Sequence, residues 1–147
     1  MKAKFIYSVN KVMRGSSLLE ELIALVIVSI GLLGMTRMQL VSMKDNQVAL
    51  DHTQASSLAC EIFDLMRANR TLSMSDRYNL PLKTNVSLGS DAPSEDLYRW
   101  KNRVTQLLPN GDGSVSHDGT LFTVTIQWSE AHSGGETEKQ FVIRSEL

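Results

Sequence analysis

The stretch "MRGSSLLEELIALVIVSIGLLGM", Met13 to Met35, constrains the rest of this chain more than any other. From Leu22 to Met35 only Ser29 interrupts an apolar run, and adding Leu18 and Leu19 gives 18 residues that also hold Glu20 and Glu21. At about 1.5 Å per helical residue the run spans roughly 27 Å, against roughly 30 Å for the hydrocarbon core of a bilayer. Residues 1–15 carry Lys2, Lys4, Lys11 and Arg14 and no acid. That asymmetry predicts a single pass with a cytoplasmic N-terminus and the body of the chain outside.

Three kinds of segment begin this way. A cleaved secretory signal needs a small-residue site after its apolar run. Here "TRMQLVSMKDNQ" follows, with no such site, and the helical pattern continues through it. A permanent single-pass anchor explains the hydrophobicity and the orientation. A charge at the centre of a span costs about 2.5–3.5 kcal/mol and less near an end, so the glutamates are tolerable there but have no task. The third possibility is a cut between Gly15 and Ser16, which removes the basic stub and leaves the apolar helix. Ser16 then bears a free α-amino group and Glu20 becomes the fifth residue. An unpaired carboxylate in low dielectric is costly, and an amine from a neighbouring copy relieves that cost, so Glu20 reads as a docking element.

The run "RGSSLLEELIALVIVSIGLLG" resembles the N-terminal motif of type IV prepilins and pseudopilins. The resemblance implies a basic leader ending at Gly15, cleavage by a prepilin peptidase, N-methylation of Ser16, and Glu20 as the family's glutamate. Where the family usually has Phe followed by Thr, this chain has Ser16 and Ser17.

Beyond the membrane segment, Ala55, Ala59, Ile62 and Met66 recur at helical spacing with Leu58 and Leu65 flanking, and no Pro or Gly interrupts residues 35–70. This predicts one helix from about Ser17 to Asn69, too long to pack wholly within a small domain, its first half in membrane or against other subunits. Gly31 and Gly34 each weaken it by about 1 kcal/mol relative to Ala. They are either close-approach points between membrane helices or a hinge. Cys60 is the only cysteine, so no intrachain disulfide forms, and the periodicity around it predicts a buried, structural thiol.

Residues 70–93, broken by Pro81, Gly89 and Pro93, read as a loop with a short strand near Thr84–Leu88. "SEDLYRWKNRVTQLLP" puts Leu97, Trp100, Val104, Leu107 and Leu108 on one helical face, with Ser94 as N-cap and Pro109 as terminator. "NGDGSVSHDG" reads as a turn cluster. "LFTVTIQWSE" alternates, with Phe122, Val124, Ile126 and Trp128 on the buried face. "EAHSGGETEK" is a loop and "QFVIRSEL" a closing strand. Helix first and strands last gives an α+β domain. These later phrases, in this order, are similar to the PilV group of minor pilins. That resemblance implies a type IV pilin-like fold: a long N-terminal helix on a small antiparallel sheet, with a second short helix.

The formal net charge is −1, but residues 16–147 hold 11 basic and 16 acidic residues, a net of −5, which argues against nucleic acid as the main partner. His52, His117 and His132 belong to no H-E-x-x-H pattern, and no G-x-S-x-G, P-loop or G-x-G-x-x-G run occurs. Asn110, Asp112 and Asp118 are oxygen-rich, but Val115 and Leu121 stand where a calcium loop has Gly and Glu, so turn chemistry accounts for them better. The expectation is a structural subunit, not an enzyme, with no cofactor and no metal. Its parts are a leader (1–15), a membrane or filament-core half-helix (16–37) and a globular domain (38–147). The resemblance implies a place in the inner membrane before assembly and on the pilus after it. It also implies prepilin peptidase and other major and minor pilins as partners, and a role in pilus biogenesis and adhesion. A pseudopilin of a type II secretion system and a membrane-anchored periplasmic binding module stay open beside it.

Overall fold

The computed structural model describes residues 15–130 and 137–147. Residues 1–14 of the leader expected over 1–15, His132 and most of the loop before the last strand lie outside the described residues. The chain divides between Met43 and Lys44 into two units.

Helix α1 runs Gly15–Ala68 and crosses that division without a break. No proline or glycine falls between residues 35 and 68, so nothing local stops it. It ends where Asn69 leaves helical geometry at φ −117°, ψ 41°. A single turn, α2 (Arg70–Ser73), follows. In the second unit α1 buries Ala55, Leu58, Ala59, Ile62, Phe63 and Met66. Cys60 does not join them: one residue past Ala59 turns its side chain some 100° around the helix, and it is exposed.

Helix α3 spans Ala92–Leu107. Its N-cap is Asp91, in extended geometry, not Ser94. Pro93 enters the first turn, where its missing N–H costs nothing, and Ser94 Oγ donates back to Asp91 Oδ1 at 2.6 Å. Leu97, Trp100 and Val104 face inward. Leu107 is exposed, because the helix stops there and extended Leu108 carries the next apolar side chain into the core. Pro109 bars any further turn.

Three antiparallel strands follow as a meander in the order β1-β2-β3: β1 Asp112–Asp118, β2 Leu121–Glu130 and β3 Thr137–Glu146. Phe122, Val124, Ile126 and Trp128 are buried as the alternation requires. Opposite Val124 stand Val115 on β1 and Ile143 on β3, and opposite Ile126 stand Gly113 and Phe141. Helical and strand apolar residues share one core.

Two further sequence expectations fail in and around the sheet. The "NGDGSVSHDG" stretch is not a turn cluster throughout: only its ends turn, at Asn110 (φ 49°) and at the two-residue Gly119–Thr120 loop, where Gly119 takes φ 60°. Between them β1 is an extended strand whose one apolar residue, Val115, is buried. Tertiary packing sets its conformation, since Gly, Asp and Ser have little intrinsic preference for strands. The strand near Thr84–Leu88 is absent. Pairing occurs earlier, as a bridge between Leu80 and Val115, and Lys83 at φ 59° then turns the chain off that line.

Candidate functional site

The first half of α1 is long and apolar enough to cross a membrane, and none of its window is buried. Leu22, Ile23, Leu25, Val26, Ile27 and Val28 are all more than half exposed. These positions go all the way round the helix, and a helix apolar on every side is one that a membrane or other chains cover. Glu20 and Glu21 are exposed near its start, and Gly15 is the first helical residue. The ion pairs among the described residues include neither glutamate. The side chain of Ser16 lies outside the described residues.

Gly31 and Gly34 are both helical, and nothing lies within 4 Å of where a Cβ on either would stand. The packing of the described chain therefore does not require glycine at either position. They sit between two hydroxyls that bond back into the helix, Ser29 Oγ to the Leu25 carbonyl at 2.6 Å and Thr36 Oγ1 to the Leu32 carbonyl at 2.9 Å. Such back-bonds loosen and bend helices slightly, so this stretch carries two kinds of weak point.

In the second unit, polar side chains fix the segment between α2 and α3. Asp112 accepts from the Lys83 backbone N–H at 2.5 Å and from Lys101 Nζ at 2.8 Å, and Lys101 also donates to the Thr84 carbonyl at 2.5 Å. Burial pushes the Asp112 carboxyl up. Its hydrogen bonds from Lys101, Lys83 and Gly113 outweigh that and hold it below the usual carboxylate range. Asp91 is held low as well, by the Ser94 hydroxyl first and the Arg77 guanidinium second. Tyr78 donates to Asp96 Oδ2 at 2.5 Å, and burial followed by that hydrogen bond pushes its phenol well above the ordinary value. His117 stacks on Phe122 and faces Asp76 Oδ1 at 2.6 Å through Nε2.

At the other end of β2, the His52 ring meets Trp128 edge-on at 5.1 Å. Buried Glu130 lies 3.9 Å from His52 Nε2 and 3.7 Å from Lys139 Nζ. The two described histidines thus face different carboxylates. Among the described residues no group of three His, Cys, Asp or Glu side chains converges as metal ligands would. Asn110 precedes β1 and Asp118 is its last residue, and the strand between them is roughly 20 Å long at about 3.3 Å per residue, so they do not share a site. Cys60 opens into a shallow groove with Ser57, Glu61, Asp64, Leu65 and Arg103, and Arg103 pairs with Glu61 across it.

The sequence places the glutamates and the apolar run directly, because both are local. It gives no signal for Asp112–Lys101, Tyr78–Asp96 or His117–Asp76, since each pair joins positions that only the fold brings together. Set against family models, curated proteins and solved structures, the chain finds no match in any of the three.

Proposed function

We propose that this chain is a minor pilin, a structural subunit of the type IV prepilin family that is made as a membrane-anchored precursor. Prepilin peptidase would cut between Gly15 and Ser16, and the new N-terminus would be methylated. The subunit would then pass from the inner membrane into a filament with other major and minor pilins. One observation carries the reading: an exposed apolar half-helix entered by Glu20 and Glu21. A helix carries residues i and i+4 on one face, so the Ser16 amine and the Glu20 carboxylate would stand one turn apart. Within a bundle of apolar helices each needs an opposite charge, and a neighbouring copy supplies it. The α+β layout, with a long first helix and a small antiparallel sheet, agrees with this role.

The test is the intact mass and N-terminal sequence of membrane-extracted protein made together with a prepilin peptidase. A chain that begins at Ser16 with one added methyl group supports the proposal. A chain that still begins at Met1 overturns it in favour of a plain anchor carrying a binding module.

A further inference from the structure

The uncharged part of α1 is shorter than its composition suggests. Glu21 bounds it on one side and Arg37 on the other, leaving the 15 residues Leu22–Thr36. All are helical, so the segment rises about 22 Å, some 8 Å less than an ordinary hydrocarbon core of about 30 Å. Its two hydroxyls do not shorten it further. Ser29 and Thr36 are satisfied on the Leu25 and Leu32 carbonyls and can sit in hydrocarbon.

The charges that bound the segment differ in reach. Arg37 has a long stem and can extend its guanidinium outward to the headgroups, whereas a glutamate carboxylate stays close to its own turn. Glu20, Glu21 and Arg37 are exposed, and none belongs to an ion pair among the described residues. Each must therefore meet water or headgroups when the helix is in a bilayer. A short span meets that demand by thinning the bilayer or by gathering with its own kind.

We propose that Leu22–Thr36 is matched to a thin bilayer, and that in a bilayer of ordinary thickness the two glutamates draw the headgroup layer inward around α1. This rests on the membrane reading of α1. The partner is the lipid itself, selected by hydrocarbon thickness and not by headgroup.

The experiment uses the full chain reconstituted into vesicles of dimyristoleoyl, dioleoyl or dierucoyl phosphatidylcholine, which run from thin to thick. Flotation after an alkaline wash reads the inserted fraction. The expected result is best insertion in the thinnest vesicles, falling on the order of tenfold to the thickest. Glu20→Leu with Glu21→Leu extends the uncharged run to the 22 residues Gly15–Thr36 and should move the optimum to thicker vesicles. Arg37→Leu should shift the optimum less, because the Arg37 guanidinium already reaches the headgroups. A wild-type optimum in dioleoyl or dierucoyl vesicles overturns the proposal, as does an optimum that none of these substitutions moves. A chain that floats with no vesicle overturns the membrane reading beneath it.

Discussion

The Trp100 indole lies directly over Gly113: a Cβ at that position would stand 2.4 Å from the ring's Cη2. The same indole donates Nε1–H to the Leu58 carbonyl at 2.9 Å, so one side chain ties α3 to both α1 and β1. Gly113→Ala should therefore force the ring aside. The expected loss is about 1–3 kcal/mol, typical of overpacking, read as a lower urea midpoint at unchanged slope. An unchanged midpoint would mean that Trp100 has room to move.

Acid should loosen the segment after α2 through Asp112. The folded carboxyl titrates below its ordinary value, so its stabilisation is fully present above about pH 4 and is lost as pH falls through the folded value. Asp112→Asn should reduce stability at pH 7 and flatten its dependence on pH in that acid window. Urea unfolding of both proteins at pH 7 and in steps below pH 4 checks this. Parallel curves would show that Asp112 does not contribute.

At the alkaline end the sign reverses. The Tyr78 phenol is raised, so its contribution is complete below about pH 10 and declines as pH climbs toward the folded value. Tyr78→Phe should cost about 1 kcal/mol at neutral pH by deleting the hydrogen bond to Asp96. It should also remove part of the destabilisation above pH 10, measured by thermal melts across that range.

Cys60 should react with a maleimide in the native protein, with no denaturant and to one label per chain, because its thiol is exposed. Mass spectrometry of the intact protein reads this directly. Labelling that waits for urea would return the thiol to the core.

If Glu20 docks subunits, Glu20→Ala should leave cleavage and membrane insertion intact and abolish incorporation into filaments. Fractionation of cells into membrane and sheared filament, probed for this chain, separates those steps. Incorporation at the wild-type level would remove the docking role.

What was legible in the sequence was whatever repeats locally. The 3.6-residue spacing of Ala55, Ala59, Ile62 and Met66 marks α1, and the two-residue spacing from Phe122 to Trp128 marks β2, because each face meets a single environment along its length. Strand β1 was illegible for the opposite reason. Its glycine at 113 exists to admit Trp100, and its pairing comes from β2 and Leu80, none of which appears in its own composition. Cys60 was misplaced by one position on a helical wheel, a small angular step that separates the core from solvent. In the candidate site, Glu20 and Glu21 stood out as acids beside an apolar run. The Asp112–Lys101 pairing has no such contrast to betray it.

The two margins of the sheet are not equivalent. On the β1 side, Leu80 exchanges both backbone hydrogen bonds with Val115, at 2.8 and 2.9 Å. On the other side, β3 pairs only with β2 among the described residues. The Leu80 bridge interrupts the outer edge of β1 near its middle, whereas β3 carries no such bridge among the described residues. Two copies can join β3 to β3 and close around a twofold axis, which leaves each only the interrupted β1 margin for a third. Strand-by-strand growth past such a pair would have to displace Leu80 from Val115.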